Sequence, residues 1–537
     1  MKKTLLTLAL IPVIFSAQTF TKADTLKGSN TVYRNFWDVQ KYEIEVEPQF
    51  QTKTLRGSNT ISFKILKDVQ KPVFQIDLQQ PMNFSLAQAD QKKYTTRRDG
   101  DFIFLQSNTD YRAGETASFT IYFEGKPTEA KNAPWDGGWV WKKDAEGNPW
   151  MSVAQEGIGA SVWLPLKDLW SDEPDQGMVM SIITAPELTG VGNGRLIRQE
   201  KINGKNKFTW EVANPINAYS IVPNVGKYVH FGEQFSGEKG TLDLDYWVLE
   251  ENLEKAKKQF TQVKPMLAAF EYWFGPYPFY EDSYKLIETP YLGMEHQSGV
   301  GYGNGYANGY LGRDLSGTGV GLNWDFIIVH ESGHEWFANN ITAQDKADMW
   351  IHESFTNYSE TLFTERYMNK QAGSTYVQGI RQNIKNDKPI IGPYGVAKSG
   401  SGDMYYKGAN MLHTIRQVIN NDEKFRQILR GLNKTFYHQT VTSKQVEDYI
   451  SRAAGFDFST VFDQYLRTVQ IPVLEYKQKG RKLQYRYQNT VPNLQLPVRP
   501  ANADITLHPT ENWQRVKLTS KAPVQFSAEY YINYREK

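Results

Sequence analysis

Phe326-Ile327-Ile328-Val329-His330-Glu331-Ser332-Gly333-His334-Glu335-Trp336-Phe337 is the stretch around which the rest of the chain can be arranged. It contains the pattern His-Glu-x-x-His. On an α-helix of 3.6 residues per turn, His330 and His334 stand one above the other on the same face. Two imidazoles can then address one metal ion, with Glu331 beside them next to the water that such an ion activates. The apolar run before His330 and the pair Trp336-Phe337 after His334 bury the helix, and burial holds ligand rotamers still and excludes bulk water. The chain has no cysteine, so a zinc ion here can draw only on histidine and carboxylate.

A catalytic zinc site keeps three protein ligands and one open position. The candidate third ligand is Glu353, separated from His334 by eighteen residues, 335 to 352. That gap accommodates the end of one helix, a connector and the start of a second helix packed on the first. Met349, Trp350 and Ile351 before Glu353 and Phe355 after it argue against an exposed surface carboxylate.

At 537 residues the chain exceeds what one core sustains, and at ~100–200 residues per domain it predicts about three domains. A formal charge of +2 gives no reason to expect nucleic acid or an anionic membrane surface as partner. Residues 1–17 read as a secretory signal: Lys2-Lys3, an apolar run from Leu5 to Phe15, and the small pair Ser16-Ala17. That run has roughly half of the ~20 apolar residues that a membrane span needs, so export to the periplasm or medium is expected, without stable membrane insertion.

From Val32 to about Glu250 short alternating runs recur between turns, among them Tyr42–Val46, Asn59–Ile65, Asp101–Leu105 and Ala117–Phe123. They predict an N-terminal antiparallel β saddle or sandwich over 24–237. Asn203-Gly204 between two such runs is a hairpin signal. After Glu250 the period changes, beginning with a helix that ends at Gly275-Pro276, and a second domain is expected over 238–470. A Gly- and Tyr-rich loop spans 299–321. Alternation returns in Val473–Tyr476, Leu483–Tyr487 and Val524–Tyr531, predicting a small C-terminal β domain over 471–537. The fold class expected is multidomain α+β.

His330, Glu331, His334 and Glu353 together resemble the zinc aminopeptidases of peptidase family M1, the gluzincins, whose signature is this pentapeptide, eighteen residues, then glutamate in a Trp-x-x-Glu context. Leu292-Gly293-Met294-Glu295-His296 is similar to the family's Gly-x-Met-Glu-Asn box, and Phe274-Gly275-Pro276-Tyr277-Pro278 precedes it in a family-like way. Tyr405-Tyr406-Lys407-Gly408 matches the family's Tyr-x-Lys-Gly. Ala154-Gln155-Glu156 before Trp163-Leu164-Pro165 resembles, more weakly, the segment that lends the family's site a Gln or Glu.

The resemblance implies a thermolysin-like α/β catalytic domain holding one zinc ion on His330, His334 and Glu353. It assigns Glu331 as general base and Tyr405 as the donor to the developing oxyanion. Glu295, with Glu156 second, would face the α-ammonium of a peptide, and the backbone of Gly293 and Met294 would line the edge along which its first residue lies. The expected partners are peptides with a free N-terminal amine. The chain departs from the family at His296, Glu335 and Ala338, where Asn, Gln and another small residue are usual. After the C-terminal β domain nothing is left for the large helical domain that caps the site in many relatives, so a more open cleft is expected. Two other readings stand beside this one: a thermolysin-like zinc endopeptidase, which needs no Glu295, and an inactive peptide-binding scaffold that keeps zinc for structure.

Overall fold

The computed structural model describes residues 19–87 and 93–537. The signal read at 1–17 lies outside the described residues, and among them no helix is long and apolar enough to cross a membrane. The first half is β-rich. Its largest sheet is built on Trp37–Gln49, which pairs antiparallel along its length with Thr54–Ile65, itself paired with Thr116–Gly125. Every second side chain of these strands faces a core that contains Trp37, Ile44, Val46, Ile61, Phe63, Phe119 and Ile121, which is why period-two alternation was the visible signal.

One pairing departs from the antiparallel expectation. Met178–Thr184 runs parallel to Trp37–Gln49, with Tyr42 opposite Met178. A parallel neighbour needs a crossover rather than a tight turn, and the intervening segment supplies it, forming further strands of this half from Thr54–Ile65 to Pro149–Ala154. The Asn203-Gly204 turn joins Arg195–Ile202 to Lys205–Val212, with φ of 47° and 77° at its two residues. Positive φ at both central positions is what a type I′ hairpin turn demands, and Asn-Gly meets it at low cost.

The expected boundary between 237 and 238 meets a continuous hairpin. Strands Tyr228–Gly237 and Gly240–Leu249 form one hairpin whose ladder reaches Gly237 opposite Gly240. The expected boundary between 237 and 238 falls in that turn, so the strand from Tyr228 joins the later sheet. That sheet has five strands, continuing through Tyr284–Glu288 and Val300–Tyr302 to Gly293–Met294 at its edge.

Against the sheet pack α1 (Val263–Phe274) and α2 (Phe326–Gly333); α3 (Trp350–Tyr367) packs on these two helices, and α4 (Tyr406–Ile419) packs on α3. Gly275 ends α1 at φ 97°. Asp325 caps α2, accepting from the amides of Ile327 and Ile328 at 3.0 and 3.3 Å. The same buried carboxylate accepts from Tyr302, Gln259 and Asn304. The start of the helix that carries His330 is thereby tied to a sheet strand, the end of the helix Leu253–Gln259 and a loop. Trp324, Trp336 and Trp350 are fully buried around α2 and α3.

A four-stranded sheet of Val473–Lys479, Lys482–Gln488, Gln514–Lys517 and Asn533–Glu536 closes the chain. The expected strand 524–531 is not formed. Its polar groups bond to catalytic helices instead: Arg381 Nη1 donates to the Ala528 carbonyl at 2.7 Å, Tyr465 to that of Tyr531 at 2.6 Å, and the Tyr531 amide to Thr414 Oγ1 at 2.9 Å. The alternation here reflects docking onto helices rather than a ladder.

Candidate active site

Helix α2 places the side chains of His330 and His334 on one face, and Glu353 enters from the first turn of α3. His330 Nε2 lies 3.7 Å and His334 Nε2 3.5 Å from Glu353 Oε2, and all three residues are buried. Partners of the other ring nitrogens decide the tautomers. His330 Nδ1 lies 2.7 Å from Glu360 Oε1, and His334 Nδ1 lies 3.0 Å from the Phe337 carbonyl, both acceptors. Each Nδ1 therefore carries the proton, and each Nε2 points a lone pair at the common centre.

Glu353 Oε2 has no hydrogen-bond partner. Three potential metal donors thus converge in a buried place, and Glu353 favours positive charge on the two imidazoles beside it, a demand that a metal cation meets. Tetrahedral zinc at ~2.0–2.2 Å from its ligands holds them about 3.4 Å apart. The observed separations fit that group.

Glu360 was not found in the sequence, although it sits seven residues after Glu353 on the same face of α3. Asn357 Nδ2 and the Tyr376 hydroxyl donate to it at 2.8 and 2.5 Å. An i, i+7 carboxylate on a ligand-bearing helix was the available signal.

Glu331 and Glu295 offer oxygens within 4.8 Å of each other and of His334. Burial raises the Glu331 carboxyl to about 7; the imidazoles of His330 and His334 pull against this, and Glu295 and Glu353 add to it. A carboxyl poised near neutrality suits proton transfer in both directions. Gly293 is close by: a Cβ added there would meet Glu331 Oε1 at 3.1 Å and Ile327 Cγ2 at 2.8 Å. Only glycine lets the edge strand Gly293–Met294 approach α2 so closely.

Tyr405 precedes α4, and its hydroxyl donates to Glu353 Oε1 at 2.8 Å. Burial, then the charges of Glu353 and Glu156, hold this phenol well above its ordinary value, so it stays a donor. Glu156 comes from the β-rich half, and burial, Glu295 and Glu353 push its carboxyl up in turn. Glu156 Oε1 and Glu295 Oε1 are both buried without a hydrogen-bond partner. All nine residues singled out in the sequence are therefore brought to one region.

Tyr219 was missed. It is fully buried with an unpartnered hydroxyl, and Glu295, Glu156 and Glu353 are the acids that act on it. One tyrosine among 31, outside any motif, gave no signal.

The turn that carries Glu295 is fixed from three sides. Asn339 Nδ2 donates to the Glu295 carbonyl at 2.8 Å, and Glu335 Oε1 accepts from the Ser298 amide at 2.9 Å. Asn193 Nδ2 reaches the Gln297 carbonyl at 2.7 Å from the β-rich half. The departure to Glu335 thus serves the turn, and His296 within it is buried with Nε2 unpartnered.

Residues 271–465 match the peptidase family M1 domain. The chain is 20% identical over 467 residues to a leucyl aminopeptidase of Saccharolobus solfataricus, covering 83% of this chain and 55% of that protein. It is 22% identical over 482 residues to an alanine/arginine aminopeptidase of Saccharomyces cerevisiae, covering 84% and 54%. The chain therefore spans about half the length of these curated relatives. A solved M1 zinc metallopeptidase of Deinococcus radiodurans, a mutant bound to a Tyr-Ser-Ala substrate, superposes with a TM-score of 0.66 at 19% identity, covering 83% of this chain and 98% of that one. The domain match and the motif spacing agree: residues 271–465, which hold His330, Glu331, His334, Glu353, Glu295 and Tyr405, are a peptidase family M1 domain.

Proposed function

We propose that the protein is a zinc-dependent aminopeptidase that removes the N-terminal residue of peptides, holding one zinc ion on His330, His334 and Glu353. The observation that carries this reading is the pair of buried, unpartnered carboxylate oxygens of Glu156 and Glu295 beside the metal triad. An endopeptidase has no use for two acids there. An α-ammonium satisfies both by charge-assisted contacts, and a blocked peptide leaves them unpaired.

Zinc, when bound, supplies Lewis acidity to the scissile carbonyl and acidifies a water molecule. Glu331 takes the proton of the attacking water and passes it to the leaving amine, a task that its raised carboxyl suits. The Tyr405 hydroxyl donates to the oxygen on which negative charge develops. Glu295 and Glu156 hold the ammonium and so fix the distance from the peptide's end to the bond that is cut. The edge strand Gly293–Met294, paired on one side only with Val300–Tyr302, offers backbone groups to an extended substrate.

Initial rates on a free aminoacyl anilide and on its N-acetyl form test the reading. The free amine should be cleaved and the acetylated form should not; faster cleavage of the acetylated form would instead make the protein an endopeptidase. A chelator should abolish the activity, and Glu331→Gln should lower kcat by about 10²–10⁴. A background rate that Glu331→Gln leaves unchanged would point to the scaffold reading.

A further inference from the structure

Next to Glu156 the molecule has a cleft of about 490 Å³ whose walls include Trp170, Lys346, Lys388 and Lys398. The lysines differ in how they are held. Lys346 is 8% exposed, donates to the Glu156 and Gly157 carbonyls at 2.7 and 2.9 Å, and lies 5.1 Å from the Trp170 ring. Lys398 pairs with Asp24 at 3.3 Å and remains half exposed. Among the described residues, neither Lys346 nor Lys388 has a carboxylate oxygen within 4.0 Å. The Lys346 ammonium hydrogen-bonds only to carbonyls, with Asp168, Glu156 and Asp345 attracting it from beyond ion-pair distance, and an ammonium without a direct carboxylate partner favours an incoming anion.

The wall that carries two of these lysines is fixed in place. The Gly392 amide donates to the Ala347 carbonyl at 2.9 Å, the Ile390 amide to that of Leu466 at 2.9 Å, and the Gly395 amide to Asp345 Oδ2 at 2.7 Å. The cleft is therefore a formed feature of the fold. Its position says which part of a substrate can reach it. Glu156 belongs both to this cleft and to the acid pair that receives the α-ammonium, and the side chain of the N-terminal residue branches from the carbon that bears that ammonium.

We propose that this cleft is the subsite for the side chain of the N-terminal residue and that Lys346, Lys388 and Lys398 select an acidic one, glutamate or aspartate. The inference rests on the aminopeptidase reading and adds the substrate class to it.

The test is kcat/KM for coumarin amides of glutamate, glutamine, leucine and alanine with the whole protein, at low and high salt. Glutamate should exceed glutamine by about tenfold at low salt, and the ratio should shrink as salt screens the lysines. Lys388 is exposed and makes no hydrogen bond that its loss would orphan, so Lys388→Glu should fold; it should reverse the ratio. Lys398→Met should lower it. Equal rates on glutamate and glutamine, or a ratio that neither variant moves, would overturn the inference. So would a preference for Leu-Ala over Leu-Ala-amide that Lys388→Glu abolishes, because the lysines would then read the peptide's far carboxylate. If leucine and alanine amides are cleaved without any preference for glutamate, only this inference fails. If none of the free amines is cleaved while N-acetyl peptides are, the aminopeptidase reading itself fails.

Discussion

Tyr405 illustrates how much one hydroxyl is asked to do. It donates to Glu353 Oε1 at 2.8 Å while Glu353 Oε2 faces both imidazoles, so the phenol is anchored to the ligand that it sits beside. Tyr405→Phe keeps the ring, its stacking on His330 and the proposed zinc ligands, and removes only the donor. We expect kcat to fall about 10²–10³-fold with KM nearly unchanged, since an oxyanion donor acts in the transition state alone. Glu360 works one step further out. It fixes the His330 tautomer at 2.7 Å, and Glu360→Gln should weaken zinc binding by about 10–100-fold, measured by competition with a chromogenic chelator. Unchanged affinity in that variant would mean that the His330 ring is held by packing instead. The proposed metal ligands were legible because chemistry fixes their spacing within a short window. Glu360, Tyr219 and Lys346 were not, because their roles depend on neighbours distant in sequence.

Helix α2 ends abruptly, and its ending carries a strain the sequence half disclosed. After His334 the backbone leaves helical geometry, with Phe337 at φ −131° and Ala338 at φ 147°. The family usually has a small residue where Ala338 stands. A Cβ at that φ costs on the order of 1–3 kcal/mol, which glycine avoids. The turn is nevertheless over-determined: Thr342 Oγ1 donates to the Ala338 carbonyl at 2.6 Å, and the Phe337 carbonyl is held by His334. Ala338→Gly should therefore raise the melting temperature, by several degrees at most, because the glycine also loosens the unfolded chain. A lower melting temperature would show that buried Ala338 contributes more by packing than it costs in strain. The helices were readable from period and caps, whereas 524–531 imitated a strand because its side chains divide between the C-terminal sheet, where Phe526 packs on Tyr476 and Tyr534, and α4, where Glu529 meets His413. Local pattern reports which faces are buried, and only the assembled fold decides what buries them.

The two halves of the molecule meet along a seam that also supports the site, and that seam contains titratable groups. Asn193 reaches the Gln297 carbonyl, Ser220 Oγ meets Asn339 Oδ1 at 3.3 Å, and Lys285 donates to the Gly194 and Ser298 carbonyls. Glu173 lies in the same seam, within 3.2 Å of Asn217 Nδ2. Burial raises its carboxyl to about 7, while hydrogen bonds from Thr342 and Asn217 pull against the rise. The unfolded chain returns this group to its ordinary value of 4.5. Between those two values the folded protein binds the extra proton, so stability falls as pH rises through that window and the cost of a buried charge is complete above 7. Glu173→Gln mimics the protonated acid and avoids that cost. It should melt higher than the parent at pH 8, by an amount corresponding to roughly 1–3 kcal/mol, and the advantage should vanish at pH 4.5. Thermal melts of both proteins at the two pH values check this. If the variant were equally favoured at both, its effect would come from packing rather than charge; if it were less stable at pH 8, the seam would depend on an ionised Glu173.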